Sequence, residues 1–265
     1  MPFNGPALKT RTRYLDLDDR TQDLNERLRE EPEIAKDFLS KYELSWVYHE
    51  GALEGVVYTV QELAVALGDQ SPVADATVVG VLQEIRNQRT AIQLVRAEAA
   101  AKKPRVNITL VKRLHETLHR GLPLKNASDF RREVPLHRTY FHEIAPPPKI
   151  PTLLAKVLDV ADTADFRKSH PVLQASRIQH GFMQVFPYTE GSGKVARLLA
   201  NLYLIRGGYL PCIIHSVDRN RYYDAFRHPE PALRDVMVEA MENALDHAEK
   251  HLADSVATRT KRSAR

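Results

Sequence analysis

Apolar residues recur along most of this chain at helical spacing. Ile34, Phe38, Tyr42 and Trp46 follow one another every four residues, which sets them down one side of a helix over residues 32–49. A shorter helical stretch, 21–30, precedes it. Residues 1–20, with Pro2 and Pro6, read as irregular. Thr59 and Glu62 make a capping-box pair ahead of a helix that runs to Leu67 and stops at Gly68. Ser71-Pro72 opens a longer helix, apolar at Val78, Val81, Leu82, Ile85, Ile92 and Val95, which reaches Lys103 and ends at Pro104. Residues 107–119 form another helix, with Gly121 as its stop. Further helices are expected over 151–161, 172–185, 193–206, 218–226 and 231–253. The character changes at 129–146. DFRREVPLHRTYFHEIA alternates and is rich in β-formers, so it reads as a β-hairpin ended by Pro146, Pro147 and Pro148. The pattern predicts a mainly α protein with one small β-hairpin, without repeats or low-complexity linkers.

Composition narrows the classes. The chain has 265 residues and is 43% apolar, enough to bury a substantial core. Cys212 is the only cysteine, which excludes an internal disulfide and a cysteine-built zinc site. No apolar run approaches membrane-spanning length, and the start MPFNGPALKTRTR has no apolar signal core, so a cytoplasmic protein without a membrane partner is expected. The net charge of +4 is concentrated in a basic tail, 256–265, where Arg259, Lys261, Arg262 and Arg265 meet no acid in the last seven residues. The rest is near neutral. The tail reads as a frayed, solubilising terminus rather than a nucleic-acid surface. A homo-oligomer is compatible with this composition.

The densest chemistry lies at 186–197, FPYTEGSGKVAR. Gly191 and Gly193 flank Ser192, with Glu190 before them and Lys194 after, and Arg197 follows three residues on. Glycines let backbone N–H groups approach an anion, and the start of a helix adds partial positive charge. Lys194 and Arg197 share one side of the first turns. Glu190 offers the oxygen ligand that Mg²⁺ prefers. Taken alone, the same residues also fit a helix start with a solvated basic first turn.

The surroundings make the loop more specific. FPYTEGSGKVAR aligns in register with H-x-F-x-D/E-G-N-G-R-x-x-R, the motif of the Fic family. His170-Pro171 opens the preceding helix as members often do, RLLANLYLIRGGYLP (197–211) resembles the continuation, and DRNRYYDAF (218–226) resembles the terminal segment. The resemblance covers 45–255, after an N-terminal part of 1–44. It implies a Fic/Doc-type helical domain with a hairpin flap, and a protein that transfers AMP from ATP to a hydroxyl of a protein target. ATP or another nucleotide and Mg²⁺ would be its cofactors. It would place Gly191, Ser192, Gly193, Lys194 and Arg197 on phosphate, Glu190 on the metal and Tyr222 beside the nucleoside. Val134, Pro135, Leu136 and His137 would be the flap edge that pairs with the target. LEGVVYTVQEL (53–63) is similar to the family's inhibitory segment, here 50–63. Glu54 would then pair with Arg197 and block the γ-phosphate, while Glu50 stands where serine or threonine is usual.

The pattern also breaks. Phe186 occupies the position of the family's general base, and phenylalanine accepts no proton, so a contribution of about 10²–10⁴-fold is lost. Ser192 replaces asparagine, and Lys194 replaces an arginine whose fork would grip phosphate. Pro135 removes an N–H from the flap edge. His49, His137, His142 and His180 are candidate substitutes for the base, each more simply read as an ordinary histidine. Two readings stand: a divergent nucleotidyltransferase, or a non-enzymatic nucleotide-binding regulatory module. A DNA-associated role through the tail is a weaker third.

Overall fold

In the computed structural model, residues 6–68, 76–102, 105–123, 129–135 and 142–263 are described. Among them eleven α-helices form: α1 (Pro6–Glu30), α2 (Pro32–Leu53), α3 (Val60–Leu67), α4 (Ala76–Ala100), α5 (Ile108–His119), α6 (Ile150–Asp159), α7 (Ala164–Lys168), α8 (Pro171–Val185), α9 (Ser192–Arg206), α10 (Arg219–Ala225) and α11 (Glu230–Ser263). The architecture is mainly α, as the periodicity requires.

Helix α9 lies at the centre. Every residue from Ser192 to Leu204 is buried, which demands an apolar surface on all sides. Beyond Ser192 at its start, its polar exceptions Lys194, Arg197 and Asn201 fall three and four residues apart and therefore share one stripe. Helices α8, α4 and α5 pack against α9, while α6 and α11 cover the outer side of α8. Asn201 is satisfied by the chain that returns after α9: its side chain donates to Cys212 O and accepts from Cys212 N. The stripe's two cations are thereby the residues left to face the site.

Three expectations need correction. Residues 6–20 are helical, not irregular. Tyr14, Leu17, Thr21, Leu24 and Leu28 follow helical spacing, and Leu17 and Leu24 are fully buried. Pro6 starts α1, where a missing N–H breaks no helical bond. Arg13 and Arg20 tie α1 to Glu242, Asp246 and Glu249 of α11. The C-terminal tail is not a frayed coil, because α11 continues to Ser263 and Arg259 donates two bonds to Glu31. The capping box at Thr59 and Glu62 forms as expected. The start expected for α4 at Ser71-Pro72, and its stop at Pro104, lie outside the described residues.

The third correction concerns the hairpin. No strand forms among the described residues of 129–146; Leu136 and His137 lie outside them, while Val134 is exposed and in no ladder. The backbone N–H groups of both flanks bond to the end of α8 rather than in a ladder. Arg131 N donates to Pro187 O, and Ala145 N donates to Gln184 O. The buried Arg131 guanidinium gathers the carbonyls of Phe186 (2.6 Å), Glu133 (3.1 Å), Val185 (3.3 Å) and Ala145. Pro135 has no N–H for a ladder. We predict that Arg131→Ala lowers stability by about 2–4 kcal/mol, since buried carbonyls lose charged donors. Urea unfolding measures this, and a change below about 0.5 kcal/mol, the range of an ordinary surface substitution, would contradict the role given to Arg131.

Candidate functional site

The site is built where α8 stops and α9 starts. Phe186 caps α8 in the left-handed region (φ 48, ψ 66), the one non-glycine residue with positive φ among those described. Such a conformation costs about 1–3 kcal/mol and persists only where its surroundings impose it. Here its N–H is fixed on Phe182 O and its carbonyl on Arg131. The turn then closes on itself: Tyr188 N donates to Ser192 Oγ and Ser192 Oγ donates to Tyr188 O, both at 2.9 Å. Gly191 (φ 78) is the N-cap of α9, and a Cβ there would lie 2.7 Å from His119 Cε1. His115 supports the loop from α5, with Nε2 2.9 Å from Glu190 O and its ring stacked on Tyr188 at 3.6 Å.

The cations of the loop are already paired. Arg197 Nε donates to Glu50 Oε2 and Arg197 Nη2 to Glu54 Oε1, each at 2.7 Å. Arg197 is only 2% exposed. Its Nη1 reaches Tyr222 Oη at 3.5 Å, and Gln179 donates to the same hydroxyl. Burial works against the arginine's charge, but Glu50 above all overrides it and holds the pKa well above the ordinary value. Burial likewise pushes the Tyr222 hydroxyl up to about 12, against the pull of Arg197. Trp46 Nε1 donates to the second oxygen of Glu50 at 3.2 Å. Glu54 caps α2 and accepts from Tyr223 Oη at 3.3 Å. Its Oε1 would lie 2.4 Å from a Cβ on Gly193, so a carboxylate oxygen rests on the first turn of α9, where glycine alone leaves room. Lys194 Nζ is held by Glu84 Oε1 of α4 at 2.6 Å. Burial raises the Glu84 pKa, but Lys194 outweighs it and leaves the carboxyl below its usual value.

The structure thus brings Glu54, Gly191, Ser192, Gly193, Lys194, Arg197 and Tyr222 into one cluster. Ser192 uses its hydroxyl to close the turn, and Tyr222 is a fully buried residue beneath Arg197. Phe186 is buried too, with its ring edge-on to His142 at 6.5 Å between centroids. Each described candidate for a substitute base has a ring nitrogen engaged: His142 Nε2 at Met183 O, His180 Nε2 at His228 O, and His49 Nδ1 accepting from Ser216 N. His137 lies outside the described residues. Sequence reasoning missed Glu84, His115 and Arg131, and it passed over Glu50 as a partner of Arg197. Glu50 had a signal, because it stands four residues before Glu54 and shares a helical face with it.

Glu190 is exposed at the loop, and no group of three or more metal-binding side chains forms among the described residues. That donor set fits Mg²⁺ bound by one carboxylate together with phosphate oxygens and water. A cleft of about 1070 Å³ opens at the far end of α9, beside Arg167 and Arg206, and includes none of the loop residues. No helix among the described residues is long and apolar enough to cross a membrane.

Comparison with known proteins bears on the fold. The backbone is that of Fic proteins: Fic-1 from C. elegans superposes with a TM-score of 0.74 at 18% identity, over 92% of this chain and 72% of that one. A Fic domain containing signaling protein from Bacteroides thetaiotaomicron gives 0.70 at 18%, over 87% and 97%. Protein adenylyltransferase Fic of Drosophila ananassae is 26% identical over 238 residues, and that of Drosophila melanogaster 25% over 240. Either match takes in 84% of this chain and 46% of the relative, so the chain spans about half the length of the curated relatives it matches. Residues 105–204, which include α5, α8 and nearly all of α9, match the Fic/DOC family. Over those residues the chain is similar to that family, on a backbone that Fic proteins share.

One pH response follows from the end of α2. His49 stacks on His215 (centroids 4.3 Å apart), and burial, then His215, lower its pKa to about 4. The folded state therefore takes up this proton later than the unfolded chain, whose value is 6.5. Stability should fall as pH drops below 6.5 and level off below about 4. His49→Phe should flatten that part of the profile. Unfolding midpoints across this range, with NMR titration of the His49 ring, check it; a ring titrating near 6.5 would refute it.

Proposed function

We propose that this chain binds a nucleotide at the N-terminal turn of α9 under the control of Glu54, as a regulatory nucleotide-binding module of Fic type. The observation that carries this reading is the double use of one spot. Glu54 places a carboxylate oxygen over Gly193 and on Arg197, where backbone N–H groups and an arginine invite phosphate. A carboxylate held there is a stand-in for the ligand anion. When Glu54 withdraws, the loop N–H groups open to phosphate, and Mg²⁺ would rest on Glu190 and bring Lewis-acid charge to the phosphates. Residue 186 presents an aromatic ring at the place of the family's base, so nothing at that position takes a proton from an acceptor hydroxyl.

The second reading is a divergent protein nucleotidyltransferase. The name of the curated relatives, protein adenylyltransferase, favours it, as does the inhibitory arrangement of Glu54 on Arg197. It requires a protein target and proton acceptance by another group or by an already acidic acceptor.

Labelled ATP, Mg²⁺ and cell lysate distinguish the two. Glu54→Gly should bind nucleotide more tightly than the parent by about tenfold or more and label no protein. Adding Phe186→His should produce labelling, a gain within the roughly 10²–10⁴-fold range of a general base. Labelling by Glu54→Gly that survives Phe186→Ala and stops with Arg197→Ala would establish the transferase reading instead.

A further inference from the structure

Glu50 and Glu54 hold the same arginine in different ways. Glu54 is the C-cap of α2, with a side chain 19% exposed, and it precedes Gly55 (φ 91) and the non-helical residues 56–59. A small backbone change at this end removes its carboxylate from the site. Glu50 lies one turn inside α2 and is 3% exposed. One of its oxygens is held by Arg197 and the other by Trp46, and Trp46, Val47 and Leu53 around it are at most 1% exposed. Withdrawing Glu50 means unwinding the last buried turn of α2. Glu54 is thus displaceable, while Glu50 is part of the core.

The consequence is electrostatic. Around the loop, four carboxylates (Glu50, Glu54, Glu84 and Glu190) face two cations, Lys194 and Arg197. With Glu54 gone, Arg197 still has its charge compensated by a desolvated carboxylate at 2.7 Å and its Nε–H occupied. A guanidinium grips phosphate through two parallel N–H groups. With Nε–H on Glu50 the Nε/Nη2 pair is lost, and what remains is the Nη1/Nη2 end, where Nη1 already reaches Tyr222 Oη at 3.5 Å. In a buried site each added negative charge on a ligand also meets Glu50 at low effective dielectric. We propose that Glu50 is a specificity-determining residue: by keeping Arg197 neutralised in the opened site, it makes that site accept a nucleoside mono- or diphosphate in preference to a triphosphate. This rests on the nucleotide-binding reading given above.

The test uses the full chain as the parent, Glu54→Gly and Glu50→Gln/Glu54→Gly, with AMP, ADP and ATP in Mg²⁺ by calorimetry. Glutamine keeps the volume and an acceptor for Trp46. Glu54→Gly should bind ADP at least as tightly as ATP, and the double variant should move the ATP-to-ADP preference toward ATP by about tenfold or more. An independent measurement is the solvent exchange of the Arg197 Nε–H by ¹⁵N NMR in Glu54→Gly, which needs no ligand and no second substitution. A slowly exchanging Nε–H supports Glu50 as the fixed counter-ion. A rapidly exchanging one, or a Glu54→Gly protein that binds ATP tenfold tighter than ADP, overturns the inference. If the Nε–H stays protected while no nucleotide binds any variant, the nucleotide reading fails and the ligand preference falls with it.

Discussion

The contact on which this structure depends is the burial of Arg197 between two carboxylates of α2. An arginine in the most enclosed helix of the fold is tolerable only if its charge is matched. The match comes from a segment more than 140 residues earlier in the chain. Trp46, Tyr222 and Tyr223 complete the surround. Removing Arg197 costs about 3–5 kcal/mol, because the buried Glu50 carboxylate is then stranded. The residues that would meet a phosphate are therefore also residues that hold α2, α9 and α10 together. Folding and the closed state of the site share one arginine here: Glu50 ties it into the core, and Glu54 closes the site over it.

A second constraint acts at the opposite side of the loop. Phe186 is held in a left-handed conformation that aromatic residues seldom adopt, and Arg131 fixes it by bonding the carbonyls of Val185 and Phe186 at the end of α8 together with those of Glu133 and Ala145. The backbone geometry at 186 thus comes from Arg131 and from the end of α8, and the side chain at 186 is carried by it. The turn thus holds its shape while presenting a ring with no proton acceptor.

Much of this was legible in the sequence, and the exceptions have physical causes. Long amphipathic helices announced themselves by spacing, and the Thr59–Glu62 cap by its residue types. The loop was readable because glycine, acid and base stand at short fixed intervals. Helix α1 was obscured by Pro2 and Pro6, although Tyr14, Leu17, Leu24 and Leu28 keep helical spacing; a proline at the first position of a helix is no obstacle. The segment at 129–146 misled because alternation of β-formers gives no sign that one arginine will take the carbonyls a ladder needs. Glu84 is an acid in the middle of a long helix, and nothing local marks it as the partner of Lys194, which lies 110 residues away. Glu50 was within reach: extending α2 by a single turn puts it on the face of Glu54.

Trp46 is the only tryptophan of the chain, fully buried, and its indole N–H is bonded to the carboxylate that holds Arg197. Indole emission responds to the charge and hydrogen bonding of its immediate neighbours. The protein consequently carries a native optical reporter at its most important ion pair, one that needs neither label nor ligand. Its fluorescence is a property of the clamp itself, and background signal from other tryptophans is absent by composition.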